Sequence, residues 1–99
     1  MALKGDMFSS ISAAVANGAF CDIRTAVGEE AIVHNIYYED NIVVSRYDGV
    51  NTIIIETFTG AGVYAWLDFH VGNTHRIRVM NNSGAAAADI GYDGIYSKV

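Results

Sequence analysis

Proline is absent from the chain, and cysteine occurs once, as Cys21. A single cysteine closes no internal disulfide, so a stapled secreted scaffold is excluded. Cys21 reads instead as a small core residue of a protein made in a reducing cytoplasm. Without proline, Gly, Asn and Asp must make every turn. Positive charge is scarce too: six Lys and Arg stand against eleven Asp and Glu, a net charge of −5, with no basic run. Phosphate backbones and anionic lipid surfaces are held by Lys and Arg, so neither nucleic acid nor a membrane is an expected partner. The longest apolar runs, in TIIIE and GAAAA, fall far short of the ~20 residues that cross a bilayer. MALKGDMFSS has no apolar core of a signal peptide.

What is present is a hydrophobic chain, 52 % apolar over 99 residues and only 17 % charged. That length suits one domain, and that composition argues against disorder. An average domain is about 25 % charged. The deficit predicts surface hidden in an assembly: a homo-oligomer, with a trimer favoured.

Period-2 alternation dominates from residue 20 onward. AFCDIR, EAIVHNIYYE, NIVVSRYD, TIIIETF, VYAWLDFHV, HRIRVMN and ADIGY are rich in β-branched and aromatic residues, which suit a pleated, half-buried surface. Turn-like breaks recur every ~8–12 residues, the spacing of a sandwich or barrel. No crossover helix fits between strands, so the sheets are antiparallel. SSISAAVAN reads as a strand, and SGAAAAD as a strand edge. The expectation is an all-β, jelly-roll-like antiparallel β-sandwich of about eight short strands over residues 19–99, preceded by an arm or first strand over residues 1–18. Tyr47-Asp48-Gly49 and Tyr92-Asp93-Gly94 both carry the Asp-Gly hairpin signal, and both read as turns.

Few side chains offer chemistry. His70 and His75 flank VGNT and can face each other across a hairpin, but a zinc site needs three or four ligands, and only Cys21 and His34 remain as soft donors. No metal or other cofactor is expected. Glu29-Glu30 and Glu39-Asp40 are adjacent pairs that a strand would split between its faces. No nucleophile elbow or phosphate-binding loop appears, so no catalytic residue is assigned and the chain reads as non-enzymatic. In VYAWLDFHV, alternation puts Tyr64, Trp66, Asp68 and His70 on one face and Val63, Ala65, Leu67, Phe69 and Val71 on the core face. Tyr64 and Trp66 are candidate contact residues, for protein or for sugar. In the first segment, Leu3, Met7 and Phe8 are candidate apolar anchors on a neighbour.

FCDIRTAVGEEAIVHNIYYE, YDGVNT, FHVGNTHRIRVMNNSG and IGYDGIYSK together resemble a group of small virion proteins of tailed bacteriophages. The resemblance spans residues 20–98 and rests on turn and strand signatures. It departs from the group's pattern at Thr25-Ala26-Val27, where proline is usual, and at Ala31, where an aromatic is frequent. It implies a non-enzymatic structural protein that decorates or cements the capsid, made in the host cytoplasm and located in the virion. The implied partners are the major capsid protein or other virion proteins. A neck, tail or fibre component and a carbohydrate-binding module are the alternatives.

Overall fold

The computed structural model describes residues 3–99, and these are all-β. Nine strands follow in order: β1 (Met7–Val15), β2 (Phe20–Ile23), β3 (Glu30–Tyr38), β4 (Ile42–Tyr47), β5 (Thr52–Phe58), β6 (Gly62–Tyr64), β7 (Phe69–Val71), β8 (Arg76–Asn81) and β9 (Ala88–Lys98). One sheet has the order β1-β9-β3-β6, with β7 also paired to β3; the other has the order β2-β8-β4-β5. Every pairing is antiparallel. Only the β4–β5 and β6–β7 connections stay within one sheet.

The core lies between the sheets and follows from alternation. Cys21 and Ile23 of β2 lie opposite Val79 and Ile77 of β8, and all four side chains are buried. Their neighbour Asp22 points outward, where it accepts Nε of Arg78 at 2.9 Å and Nη1 of Arg76 at 3.3 Å. Ile36 of β3, Val44 of β4 and Ile90 of β9 close the same cluster. Burying each aliphatic side chain of this kind contributes about 1.5–3 kcal/mol. Thr25, Ser45 and Asn81 are the buried polar residues, and Asn81, the most deeply buried, is satisfied. Its Nδ2 donates to the carbonyls of Val15 and Ala86, and its Oδ1 accepts the Ser83 amide. It thereby ties the end of β1 to the loop after β8.

The structure corrects the sequence reading in four places. Tyr92-Asp93-Gly94 is no turn; it lies inside the eleven-residue β9. A Cβ on Gly94 would sit 1.9 Å from the Ile32 carbonyl oxygen, so glycine is required there by the approach of β3, not by a reversal of the chain. Second, alternation in β3 slips at His34, which is skipped between the pairs Val33–Gly94 and Asn35–Asp93. Ala31 and Val33 point inward before the slip, and Ile36 and Tyr38 after it. Third, VYAWLDFHV is two short strands, β6 and β7, separated by a loop that carries Trp66 at φ 62°. Tyr64 is therefore on the inner side, with Phe69. Finally, the polyalanine run is mostly loop, and β9 begins only at Ala88.

The first segment forms an edge strand of the first sheet. Met7–Val15 pairs with β9, Met7 opposite Ile95 and Ser12 opposite Ile90. Residues 1 and 2 of the expected 1–18 arm lie outside the described residues.

Candidate functional site

Outward positions of the first sheet form a continuous apolar face. Met7 and Ile11 of β1, Ile95 of β9, Tyr37 of β3 and Val63 of β6 are all exposed, Met7 and Ile11 by 73 and 72 %. The pairing fixes their places: Met7 lies beside Ile95, Ile11 beside Gly91, and Gly91 beside Tyr37. Gly91 has no side chain, which leaves a shallow hollow of about 230 Å³ lined by Ile11, Tyr37, Glu39 and Asp89. Five exposed apolar side chains on one rigid sheet surround a polar centre, the arrangement of a protein-binding patch.

That centre is Asp93. One carboxylate oxygen accepts Nδ2 of Asn35 at 2.7 Å, and the other accepts the Tyr37 hydroxyl. This bond holds the Tyr37 phenol above its ordinary pKa of 10.0, and slight desolvation adds to the effect. Towards one end of the face, Asp89 accepts the Ala14 amide, and the Asp89 amide donates to Glu39. Asp89, Asp93 and Glu39 make the face acidic, so it suits a partner that brings hydrogen-bond donors or cationic groups.

Trp66 stands at the edge of the same sheet. The Leu67 amide donates to the His34 carbonyl at 2.9 Å, and His34 Nδ1 meets the Leu67 carbonyl at 3.0 Å. These two bonds clamp the loop to the slip in β3 and leave Trp66 97 % exposed. An indole fully in water, on a backbone conformation that side chains disfavour, is costly twice over. Its ring borders a hollow lined by His34, Asn35, Ala65 and Leu67.

The other candidates divide. Leu3 is 62 % exposed, and Met7 belongs to the apolar face. Phe8 is 5 % exposed. It lies over Gly94, with its ring 5.0 Å from Tyr92 and 5.2 Å from Tyr96, so it is spent in the core instead of reaching a neighbour. Tyr64 is half-buried in an aromatic row, 4.7 Å from Phe58 and 6.0 Å from Phe69; it is not a platform beside Trp66. Ile11, Tyr37 and Asp93 were missed. The signal for them existed only in the strand partners: Ile11 and Tyr37 flank Gly91, and Asp93 faces Asn35.

Several titratable groups elsewhere have structural partners. Asp48 caps its own turn by accepting the amides of Val50 and Asn51, which hold its carboxyl below the ordinary 3.8. Burial pushes the Cys21 thiol up, partly offset by the Ser12 hydroxyl 3.4 Å away. His70 and His75 line an open cleft of about 420 Å³ with Glu29, Glu30, Arg46 and Lys98, and Lys98 pairs with Glu30 at 3.6 Å. Among the described residues, no three His, Cys, Asp or Glu side chains gather closely enough to hold a metal ion. No helix of the described residues is long and apolar enough to cross a membrane.

No protein-family model matches this chain, and no curated protein matches it in sequence.

Proposed function

We propose that the chain is a non-enzymatic structural protein of a phage virion, which decorates or cements the capsid by binding the assembled shell. The observation that carries this reading is the outer face of the first sheet, with Met7, Ile11, Tyr37, Val63 and Ile95 around Asp93 and Trp66 at its edge. The resemblance of residues 20–98 to small virion proteins of tailed bacteriophages supports it. So does the strand order: with β6 and β7 counted as one interrupted strand, β1-β9-β3-β6/β7 over β2-β8-β4-β5 fits the proposed jelly roll, a fold used by capsid and lectin domains. The major capsid protein is the expected partner, and the virion the final location, after synthesis in the host cytoplasm. Each contact is modest, because repetition over a symmetric lattice multiplies it through effective concentration. Binding only the mature shell stabilises that shell by mass action.

The test is co-sedimentation of the purified chain with shells that lack it, followed by imaging. Saturation at many symmetry-related sites, lost in Ile11→Lys, supports decoration. Binding at a single vertex moves the protein to the neck, tail or a fibre, and failure to bind any shell ends the reading. Trp66 motivates a second reading, a carbohydrate-binding module, since an exposed indole is a stacking platform. Binding of the free protein to a glycan array, abolished by Trp66→Ala, would favour it.

A further inference from the structure

Strand β5 is the outermost strand of the second sheet, bonded to β4 and to no other strand of the described residues. Ile53, Ile54 and Ile55 are 72, 64 and 36 % exposed, and nearby Val50 is 83 % exposed. Successive strand residues face opposite sides, so three consecutive exposed isoleucines leave both faces of β5 in water. Exposed edges are ordinarily guarded by Lys, by Pro or by a covering element. Thr52–Phe58 contains neither Lys nor Pro, and its guards are Glu56 and a bulge at Ile55, which is skipped between the pairs Val44–Glu56 and Ser45–Ile54.

We propose that a second copy of this chain covers β5, the two strands lying antiparallel about a two-fold axis at Ile54. Charge and residue order point to this occupant. With a net charge of −5, two copies approach best along strands that carry little charge, and Glu56 is the single ionisable residue of β5, the edge strand whose two faces both lie in water. An axis at Ile54 sets Ile53 against Ile55 of the second copy and Thr52 against Glu56. The isoleucines cover one another, and neither carboxylate meets its like. An axis at Ile55 would press Glu56 onto an isoleucine, and parallel in-register pairing would oppose Glu56 to Glu56; both are unfavourable. A two-fold contact also closes at two copies, whereas a head-to-tail contact on the same strand would grow into fibres. The strand presents only a handful of side chains, against roughly 20–30 per side in a standard interface, so the pair is weak and depends on concentration. This contact is independent of the virion reading, and it replaces the expected trimer with a dimer.

Sedimentation equilibrium of the full chain from about 10 μM to about 1 mM covers the range of a weak pair. A reversible monomer–dimer equilibrium is expected. Ile54→Lys, and separately Ile54→Ser, should weaken it by about ten-fold or more with unchanged circular dichroism. Thr52→Lys should tighten it about two- to five-fold at low salt by meeting Glu56 of the second copy, and Thr52→Glu should weaken it by a similar factor. A chain monomeric throughout, a trimer, an Ile54→Lys variant that pairs like the parent, or Thr52 variants that shift in the same direction would each overturn the proposal.

Discussion

Asn35 and Asp93 face each other across the β3–β9 pair, and Asn35 Nδ2 donates to the Asp93 carboxylate at 2.7 Å. The same carboxylate accepts the Tyr37 hydroxyl. An aspartate with both oxygens engaged on an outer sheet face fixes the orientation of its neighbours, and through them the shape of the patch.

The Tyr37 bond exists only while the phenol is protonated. Its stabilisation is therefore complete below the ordinary tyrosine pKa of 10.0 and is lost as pH rises past the raised Tyr37 value. In Asp93→Ala, Tyr37 should titrate at lower pH, as followed by carbon NMR of labelled tyrosine. The stability advantage of the parent should be present at neutral pH and shrink in strong alkali. An unmoved Tyr37 titration would show that the bond does not form in solution.

The two Asp-Gly dipeptides should respond differently to alanine. At Gly94 the added Cβ meets backbone, the Ile32 oxygen at 1.9 Å, so β3 and β9 must separate. Gly94→Ala should cost about 3 kcal/mol or more in chemical denaturation, as severe overpacking does. At Gly49 the φ is +103° and the nearest atom is a side-chain methyl of Thr74 at 2.7 Å. That methyl can move, so Gly49→Ala should cost about 1–2 kcal/mol, chiefly from the left-handed backbone.

Phe8 and Met7 are adjacent but face opposite ways. Phe8→Ala opens a cavity over Gly94 and between Tyr92 and Tyr96, and should destabilise the fold by about 3–5 kcal/mol. Met7→Lys lies in water and should leave the melting temperature within a degree or two of the parent, roughly the effect of an ordinary surface change. Equal losses at the two positions would contradict the pairing of β1.

Trp66 should be dispensable for folding. Replacing it with glycine relieves the strain at φ 62°, while the looser unfolded chain takes some of that back, for a net gain of up to about 1 kcal/mol. In the parent, iodide should quench the single tryptophan almost as readily as free indole. A protected indole at low concentration would refute its exposure.

How far the fold was legible depended on where strands keep strict alternation. β2 and β8 do, so Cys21, Ile23, Ile77 and Val79 fall on the expected side. β3 does not, because one extra residue at His34 moves Ile36 and Tyr38 to the core face, and local sequence carries no mark of such a slip. Asp93-Gly94 misled for a related reason. The dipeptide has the chemistry of a turn, but its glycine answers to a neighbouring strand distant in the chain. Trp66 was found because a lone tryptophan stands out in any reading. Its former companion Tyr64 was lost to the same kind of slip, in the loop between β6 and β7. TIIIETF was legible as a strand, but the exposure of its isoleucines was not, since burial on an edge depends on what lies alongside.

The first sheet joins the earliest strand to the latest. β1 finds its hydrogen-bonding partner only in β9, and Phe8 only there finds the two tyrosines that sandwich it. During synthesis, then, β3 emerges with neither its long neighbour nor a finished inner surface to rest on, and the sheet cannot be completed from the middle outward. Closure waits for the last strand. That order favours slow maturation of the polypeptide and leaves forms that still lack β9 sticky.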